Sequence, residues 1–146
     1  AAVRISAFSS IVLLLVLVVM AACNPIKILN QREIATQLQV DVNTYRKLMR
    51  WGYYDQATQY VKARNGSKGE IDFEDMSRYK ITQFVIADEI KSKTNTEAKV
   101  IAEIEFYDID SGRATSARDD QFWWYGEEEE RWFLGSPMID FSDFVE

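Results

Sequence analysis

The feature that most restricts the fold of this sequence is a stretch in which apolar and polar residues alternate. Within residues 98–109, every second position from 98 to 106 is apolar. Charged residues occupy several of the positions between these apolar residues. The apolar positions are Ala98, Val100, Ala102, Ile104 and Phe106. Because successive side chains of a strand point to opposite faces, this pattern predicts a strand with one buried and one solvated face.

Three further strands are predicted around this one. Residues 80–90 are rich in β-branched and aromatic residues, and a strand over 113–125 ends in the aromatic run Phe122-Trp123-Trp124-Tyr125. A short strand over 131–134 ends before Pro137. The connections are the turns 91–97, 110–112 and 126–130. Consecutive strands joined by short turns predict an antiparallel meander.

The segment before the strands has the periodicity of a helix. Apolar residues recur at spacings of three and four, at Ile34, Leu38, Val42, Tyr45 and Met49. This spacing predicts an amphipathic helix from about Gln31 to Trp51, which Gly52 ends. A second helical piece is predicted from Asp55 to Lys62 with Asp55 as its N-terminal cap, followed by a loop over 64–70.

A helix broken near Gly52 and followed by a curved antiparallel meander is an α+β arrangement. Together with the Gly-Tyr-Tyr-Asp-Gln-Ala segment at 52–57 and the paired aromatic strands, it resembles the nuclear transport factor 2-like cone fold over roughly residues 31–140. A cystatin-like sheet wrapped around one helix is the alternative. Both resemblances imply that the helix lies in the concave side of the sheet.

The N-terminal segment has the layout of an export signal. Arg4 is the only charged residue before Cys23, and residues 11–20 carry no polar side chain. Met20-Ala21-Ala22-Cys23 resembles the lipobox of bacterial lipoproteins. That resemblance implies that residues 1–22 are a removed signal peptide, that Cys23 carries a diacylglycerol, and that residues 23–30 form a tether to a single domain over 31–146.

Two other interpretations of this segment are a transmembrane anchor and a plain secretion signal. A spanning helix needs roughly 20 apolar residues, and the run from Ile11 to Ala22 supplies 12. A lipid-anchored protein of the bacterial cell envelope is therefore expected. Asn24 stands where the family uses Asp to retain lipoproteins in the inner membrane, so the resemblance implies the outer membrane, facing the periplasm, where two membranes exist.

Charge and composition exclude several classes of function. Removing residues 1–22 takes away one of 17 basic residues and none of 23 acidic ones, leaving a net charge of −7 that disfavours nucleic acid as a partner. The chain has no His and a single Cys, which excludes Ser-His-Asp and Cys-His catalysis and metal sites built on His or thiolate ligands. No cofactor and no metal are expected.

Two candidate sites follow from the expected fold. The concave side would be lined by Tyr45, Met49, Val100, Ile104, Phe106 and, from the aromatic strand, either Phe122 and Trp124 or Trp123 and Tyr125; Trp124 is the residue assigned to the pocket. The acidic turn Gly126-Glu127-Glu128-Glu129-Glu130 is assigned as a possible partner surface. It lacks the spaced Asp, Asn and Gly residues of a dedicated Ca²⁺ loop.

Neighbouring acids on a strand point to opposite faces and cannot pair as acid and base, so Asp119 and Asp120 are interpreted as solvated strand residues. A non-catalytic domain that binds an envelope protein or assembles with it is therefore the expected function. The alternatives are a domain that binds a small apolar ligand in the cone, and an isomerase or hydrolase with a buried carboxylate base. An inward carboxylate beside a tyrosine hydroxyl would favour the enzyme.

Overall fold

The structure, a computed structural model, describes the backbone of residues 24–145 and the side chains of residues 30–145. Helix α1 spans Asn24–Arg50, and the short helix α2 (Tyr54–Ala57) continues into a 3₁₀ turn (Thr58–Tyr60). After helix α3 (Phe73–Ser77) come β1 (Tyr79–Lys91), β2 (Glu97–Asp108), β3 (Ala114–Gly126), β4 (Arg131–Leu134) and a 3₁₀ turn (Phe141–Phe144). The predicted signal peptide and Cys23 lie outside the described residues.

Within residues 24–145 the strands form one open sheet in the order β1-β2-β3-β4, and each neighbouring pair is antiparallel. The meander predicted from the sequence is therefore confirmed, with strand boundaries that differ by at most one residue at each end. Residues 34–145 form one compact unit, in which the part of α1 from Ile34 onward packs against one face of the sheet. The α+β class is confirmed.

We call the face of the sheet that α1 covers the inner face. The apolar stripe of α1 supplies Leu38, Val42, Tyr45 and Met49 to the core, each at most 2% exposed. The strand β2 alternates as predicted, because Ile104 is buried while Glu103 and Glu105 beside it are exposed. Burial of these apolar side chains supplies the main stabilisation of a fold without disulfides.

A buried hydrogen-bond network joins α1 to β4. The Asp41 carboxylate, 5% exposed, accepts a hydrogen bond from the Trp132 main-chain N–H at 2.9 Å. The Trp132 indole Nε1 in turn donates to the Ile34 carbonyl at 2.9 Å. A carboxylate is retained in this core because it satisfies main-chain and side-chain donors that would otherwise be unpaired.

The end of α1 is set by Gly52, as predicted. Gly52 has φ of +77° and donates its N–H to the Met49 carbonyl, while the Tyr53 N–H reaches back to the Leu48 carbonyl at 2.9 Å. This pair of bonds is the Schellman motif, whose left-handed position favours glycine. The turn leaves Trp51 70% exposed at the surface.

Two local predictions differ from the structure, and one short helix was not predicted. The helix α1 begins at Asn24 instead of Gln31, so residues 24–30, predicted as a tether, are helical; Pro25 is compatible with a first helical turn, which needs no N–H there. Asp55 does not cap α2, since Tyr53 holds that position without a side-chain bond. Helix α3 was not predicted, and Asp72 caps it by accepting the Asp75 N–H at 3.0 Å.

No helix within residues 24–145 is long and apolar enough to cross a membrane.

Candidate functional site

The residues predicted to line a pocket lie in two different places. Five of them belong to the inner face and its helix, and none of these is more than 1% exposed: Tyr45, Met49, Val100, Ile104 and Phe106. Trp124 lies on the opposite, outer face of β3, beside Phe133 with ring centroids 5.3 Å apart. Its indole Nε1 donates to the Lys62 carbonyl at 2.8 Å. The assignment of Trp124 to the interior is therefore wrong.

The inward members of the aromatic strand are Trp123 and Tyr125. Trp123 is fully buried and meets Tyr45 edge to face, with ring centroids 5.5 Å apart. Tyr125 makes a similar contact with Trp132 at 5.7 Å. The inner face is thus filled by interlocking aromatic rings of β3, β4 and α1, an arrangement that favours packing over an open cavity at this point.

A row of polar side chains continues from Trp123 along the inner face of β3. The Trp123 indole Nε1 donates to Gln121 Oε1 at 2.9 Å, and Gln121 Nε2 donates to Asp119 Oδ2 at 2.7 Å. These residues share a face because they are spaced by two. Gln121 is 1% exposed and Asp119 is half-buried, so the row extends from the core toward its edge.

Two groups near this row have perturbed acidities. Burial raises the pKa of the Asp119 carboxyl above its usual 3.8, against the opposing effect of the Gln121 hydrogen bond. Burial, with a further contribution from the charge of Asp119, raises the pKa of the Tyr45 hydroxyl well above 10.0. The Tyr45 hydroxyl has no hydrogen-bond partner among the described residues. A half-buried acid and an unpaired phenol are groups that can hold or move a proton.

The sequence interpretation of Asp119 as a solvated residue is therefore wrong, because its side chain is half-buried on the inner face. Asp120, its neighbour, does fit that interpretation, because it is exposed and bonded to Arg118 at 2.9 Å and Lys99 at 3.2 Å. The sequence does contain a signal for the inward position of Asp119. Asp119, Gln121 and Trp123 are spaced by two, so they lie on the same face of the strand, and an inward Trp123 implies an inward Asp119.

Another buried acid, Asp108, has a structural role. Asp108 Oδ1 accepts the Asp110 N–H at 2.8 Å in the turn between β2 and β3, and Oδ2 accepts from Arg78 at 3.1 Å. The turn hydrogen bonds and the Arg78 charge lower the pKa of the Asp108 carboxyl. Both carboxylate oxygens of Asp108 thus have partners, and they fix the turn between β2 and β3 and bind Arg78.

The acidic turn Gly126–Glu130 is exposed at its four glutamates and buried at Gly126. An ideal Cβ at Gly126 would lie 2.8 Å from Phe133 Cε2, so the close approach of that ring requires glycine. Glu129 is paired with Lys62, whose ammonium lies 4.9 Å from the centre of the Phe133 ring. The turn is thus held on an aromatic base, and Glu127, Glu128 and Glu130 project from it.

No group of three or more potential metal ligands is assembled within the described residues. A shallow cleft of about 200 Å³ lies beside β4, between residues 61–71 and 135–138, and its walls include Val61, Ile71, Pro137 and Met138. None of the predicted site residues lines it. No protein-family model matches the chain, and no curated protein or solved structure is similar enough to it to indicate a relative.

Proposed function

We propose that this chain is a lipid-anchored domain of the bacterial cell envelope that binds a partner protein and has no catalytic role. The anchor is Cys23, which follows Met20-Ala21-Ala22 as in a lipobox. A diacylated cysteine would hold the domain on the membrane more firmly than a single acyl chain. The proposed location is the outer membrane, facing the periplasm, where the cell has two membranes.

The observation that carries the binding proposal is the packing of the inner face. Its predicted pocket residues are buried against one another, which leaves no evident space for an apolar ligand beside Tyr45 and Trp123. Recognition is then expected on the outside, where the turn Gly126–Glu130 presents glutamates on a packed base. A preorganised acidic surface favours a basic partner and lowers the entropy lost on binding.

The partner proposal is tested by capture from detergent-solubilised membranes with the full-length chain as bait. Glu127→Lys/Glu128→Lys should lose a partner that the wild type retains. The control is Glu70→Lys/Glu74→Lys, which makes the same charge change at exposed positions that do not belong to the turn. Equal capture by both double variants would contradict the assignment of the turn.

The anchor proposal is tested by intact-mass measurement of the purified protein. The wild type should begin at Cys23 and carry the added mass of its acyl groups, whereas Cys23→Ser should remain an unprocessed precursor. A wild-type chain that begins elsewhere, or that begins at an unmodified Cys23, would contradict lipid attachment.

For the fold we propose the nuclear transport factor 2-like cone, with the cystatin-like arrangement as the alternative. Two features support a cone. The helix α1 covers the inner face of a meander, and β1 carries two register shifts, between Ile81 and Gln83 and between Ile86 and Asp88. Bulges of this kind bend a strand and increase the twist of its sheet, which lets the sheet wrap around a helix.

A second candidate function is favoured by one observation: the inner side of the sheet holds both a half-buried carboxyl, Asp119, and a hydroxyl, that of Tyr45, that has no hydrogen-bond partner among the described residues. In an isomerase or hydrolase, Asp119 would act as the base and Tyr45 as a hydrogen-bond donor. A panel of ester and enolisable ketone substrates tests this function. Turnover that Asp119→Asn abolishes while Asp120→Asn preserves it would replace the non-catalytic proposal, and absence of turnover would leave the enzyme without support.

A further inference from the structure

The strand β1 lies at an edge of the sheet, and its two halves differ in whether side chains bond to the main-chain carbonyls of that edge. In the first half, three carbonyls that point away from β2 accept hydrogen bonds from side chains of the helical region. Tyr54 Oη donates to Tyr79 at 2.9 Å, Arg50 to Ile81 at 2.6 Å and Arg46 to Phe84 at 3.2 Å. These side chains occupy the positions that an added strand would use, so this half is closed to strand pairing.

The second half follows a different pattern. The Ser92 N–H donates to the Glu97 carbonyl at 2.8 Å, and the register of β1 on β2 pairs Ile90 with Lys99. Because hydrogen-bonded positions alternate in an antiparallel pair, Ser92 and Ile90 bond to β2, and the main-chain groups of Glu89 and Lys91 point away from the sheet. Among residues 30–145, no side chain donates to either of these two carbonyls.

We propose that this open half of β1 pairs with the same segment of a second copy of the chain. An antiparallel two-fold arrangement centred on Ile90 places Glu89 opposite Lys91 of the second copy, and Lys91 opposite its Glu89. Each of these pairs exchanges two main-chain hydrogen bonds, because both residues present their N–H and C=O groups to the edge. The two sheets then continue into one.

Side-chain charge selects this register. On the inner face Glu89 and Lys91 already form an ion pair at 3.0 Å within one chain, and the arrangement centred on Ile90 repeats the same opposite-charge contact between chains. Centring on Glu89 would place two glutamates directly opposite, and centring on Lys91 would place two lysines opposite. Like charges at directly opposed positions destabilise strand pairs.

Apolar exposure and a local hydrogen bond are consistent with this pairing. Ile90 is 54% exposed on the outer face, and it would be covered by Ile90 of the second copy. In the unpaired strand the Glu89 N–H is satisfied by Asp88 Oδ1 at 2.8 Å. Because Asp88 is exposed, its carboxylate can return to water when the main chain of the second copy takes over that N–H.

The test is a disulfide at the centre of the proposed pairing. Ile90 falls at a non-hydrogen-bonded position, where opposite Cα atoms are about 4.5 Å apart, a separation that a disulfide can span. Ile90→Cys in the full-length chain, oxidised in membranes, should give much more covalent dimer than the wild type. The wild-type yield is the background, because it measures any disulfide formed through Cys23. Val85→Cys, 40% exposed on the same face of β1, should stay at the wild-type level.

Charge exchange supplies the second arm. In the Ile90→Cys chain, Glu89→Lys should lower the dimer yield severalfold, and adding Lys91→Glu should restore it, with far-ultraviolet circular dichroism unchanged throughout. The proposal would be overturned if Ile90→Cys gave no dimer, or if Glu89→Lys left the dimer yield unchanged. A cross-link to a different protein would instead assign the edge to a foreign strand.

Discussion

Asp119 and Asp120 are neighbours in sequence and yet occupy opposite faces of the sheet. On the inner face, burial raises the pKa of Asp119, while on the outer face hydrogen bonds from Arg118 and then Lys99 lower the pKa of Asp120. Two identical side chains one residue apart thus differ in the sign of their perturbation. For these two carboxyls, the face of the sheet and the groups present there decide the direction in which the pKa moves.

The largest expected contrast between the faces lies in β2. Ile104 is 1% exposed on the inner face, and Ile104→Ala should lower the free energy of unfolding by about 2–5 kcal/mol because it leaves a cavity. Glu103→Ala, on the outer face, should change it by no more than about 0.5 kcal/mol. Denaturant unfolding of both variants checks the prediction, and equal losses would mean that the two faces do not differ as described.

An intermediate effect on the free energy of unfolding is expected at Asp41, the buried acid of α1. Asp41→Ala should lower the free energy of unfolding by about 1–3 kcal/mol, since it leaves the buried Trp132 N–H without an acceptor. Asp41→Asn keeps an acceptor of the same shape and should lose less. Chemical denaturation of the two variants makes the comparison, and equal losses would show that the hydrogen bond to Trp132 is not the cause.

The smallest expected effect is in the pH dependence of stability. The folded pKa of Asp119 is raised, so the folded state binds this proton more tightly and the free energy of unfolding rises as the pH falls through the folded pKa. The folded pKa of Asp120 is lowered, so its contribution is present above the unfolded pKa and is lost as the pH falls through the folded pKa.

Asp119→Asn should therefore raise the free energy of unfolding at neutral pH and abolish its increase at acid pH. Asp120→Asn should lower the free energy of unfolding slightly at neutral pH and abolish the decrease that Asp120 causes at acid pH. Thermal unfolding between neutral and acid pH measures both profiles. A destabilised Asp119→Asn protein at neutral pH would indicate that the charged carboxylate is needed by the row Asp119-Gln121-Trp123.

The strands and the helical stripe could be predicted from the sequence because their signals are local. The alternation around Ile104 follows from the period of two, and the stripe through Tyr45 follows from the period of 3.6. Both periods respond to the same water-excluding core, so each indicated the inner face without reference to the other. The end of α1 was equally local, because Gly52 supplies the left-handed turn.

The rest depends on contacts that no local pattern encodes. Which face of β3 is inside was open, because both alternating sets contain large aromatic residues, and choosing Trp124 hid the inward position of Asp119. Arg46 and Arg50 lie outside the apolar stripe of α1, and the periodicity of the helix indicates no partner for them. Their hydrogen bonds join them to β1 residues 38 and 31 positions later, a relation that becomes visible only in three dimensions.

The placement of the tryptophans has a spectroscopic consequence. Trp123 and Trp132 are fully buried in the inner core, whereas Trp51 stands in water at the end of α1. The emission of the native protein is therefore a sum of blue-shifted and red-shifted indoles, and an aqueous quencher such as iodide should reach Trp51 most, the half-buried Trp124 less, and the two buried indoles least. With Trp51→Phe, the remaining fluorescence would combine the buried Trp123 and Trp132 with the half-buried Trp124 of the outer face.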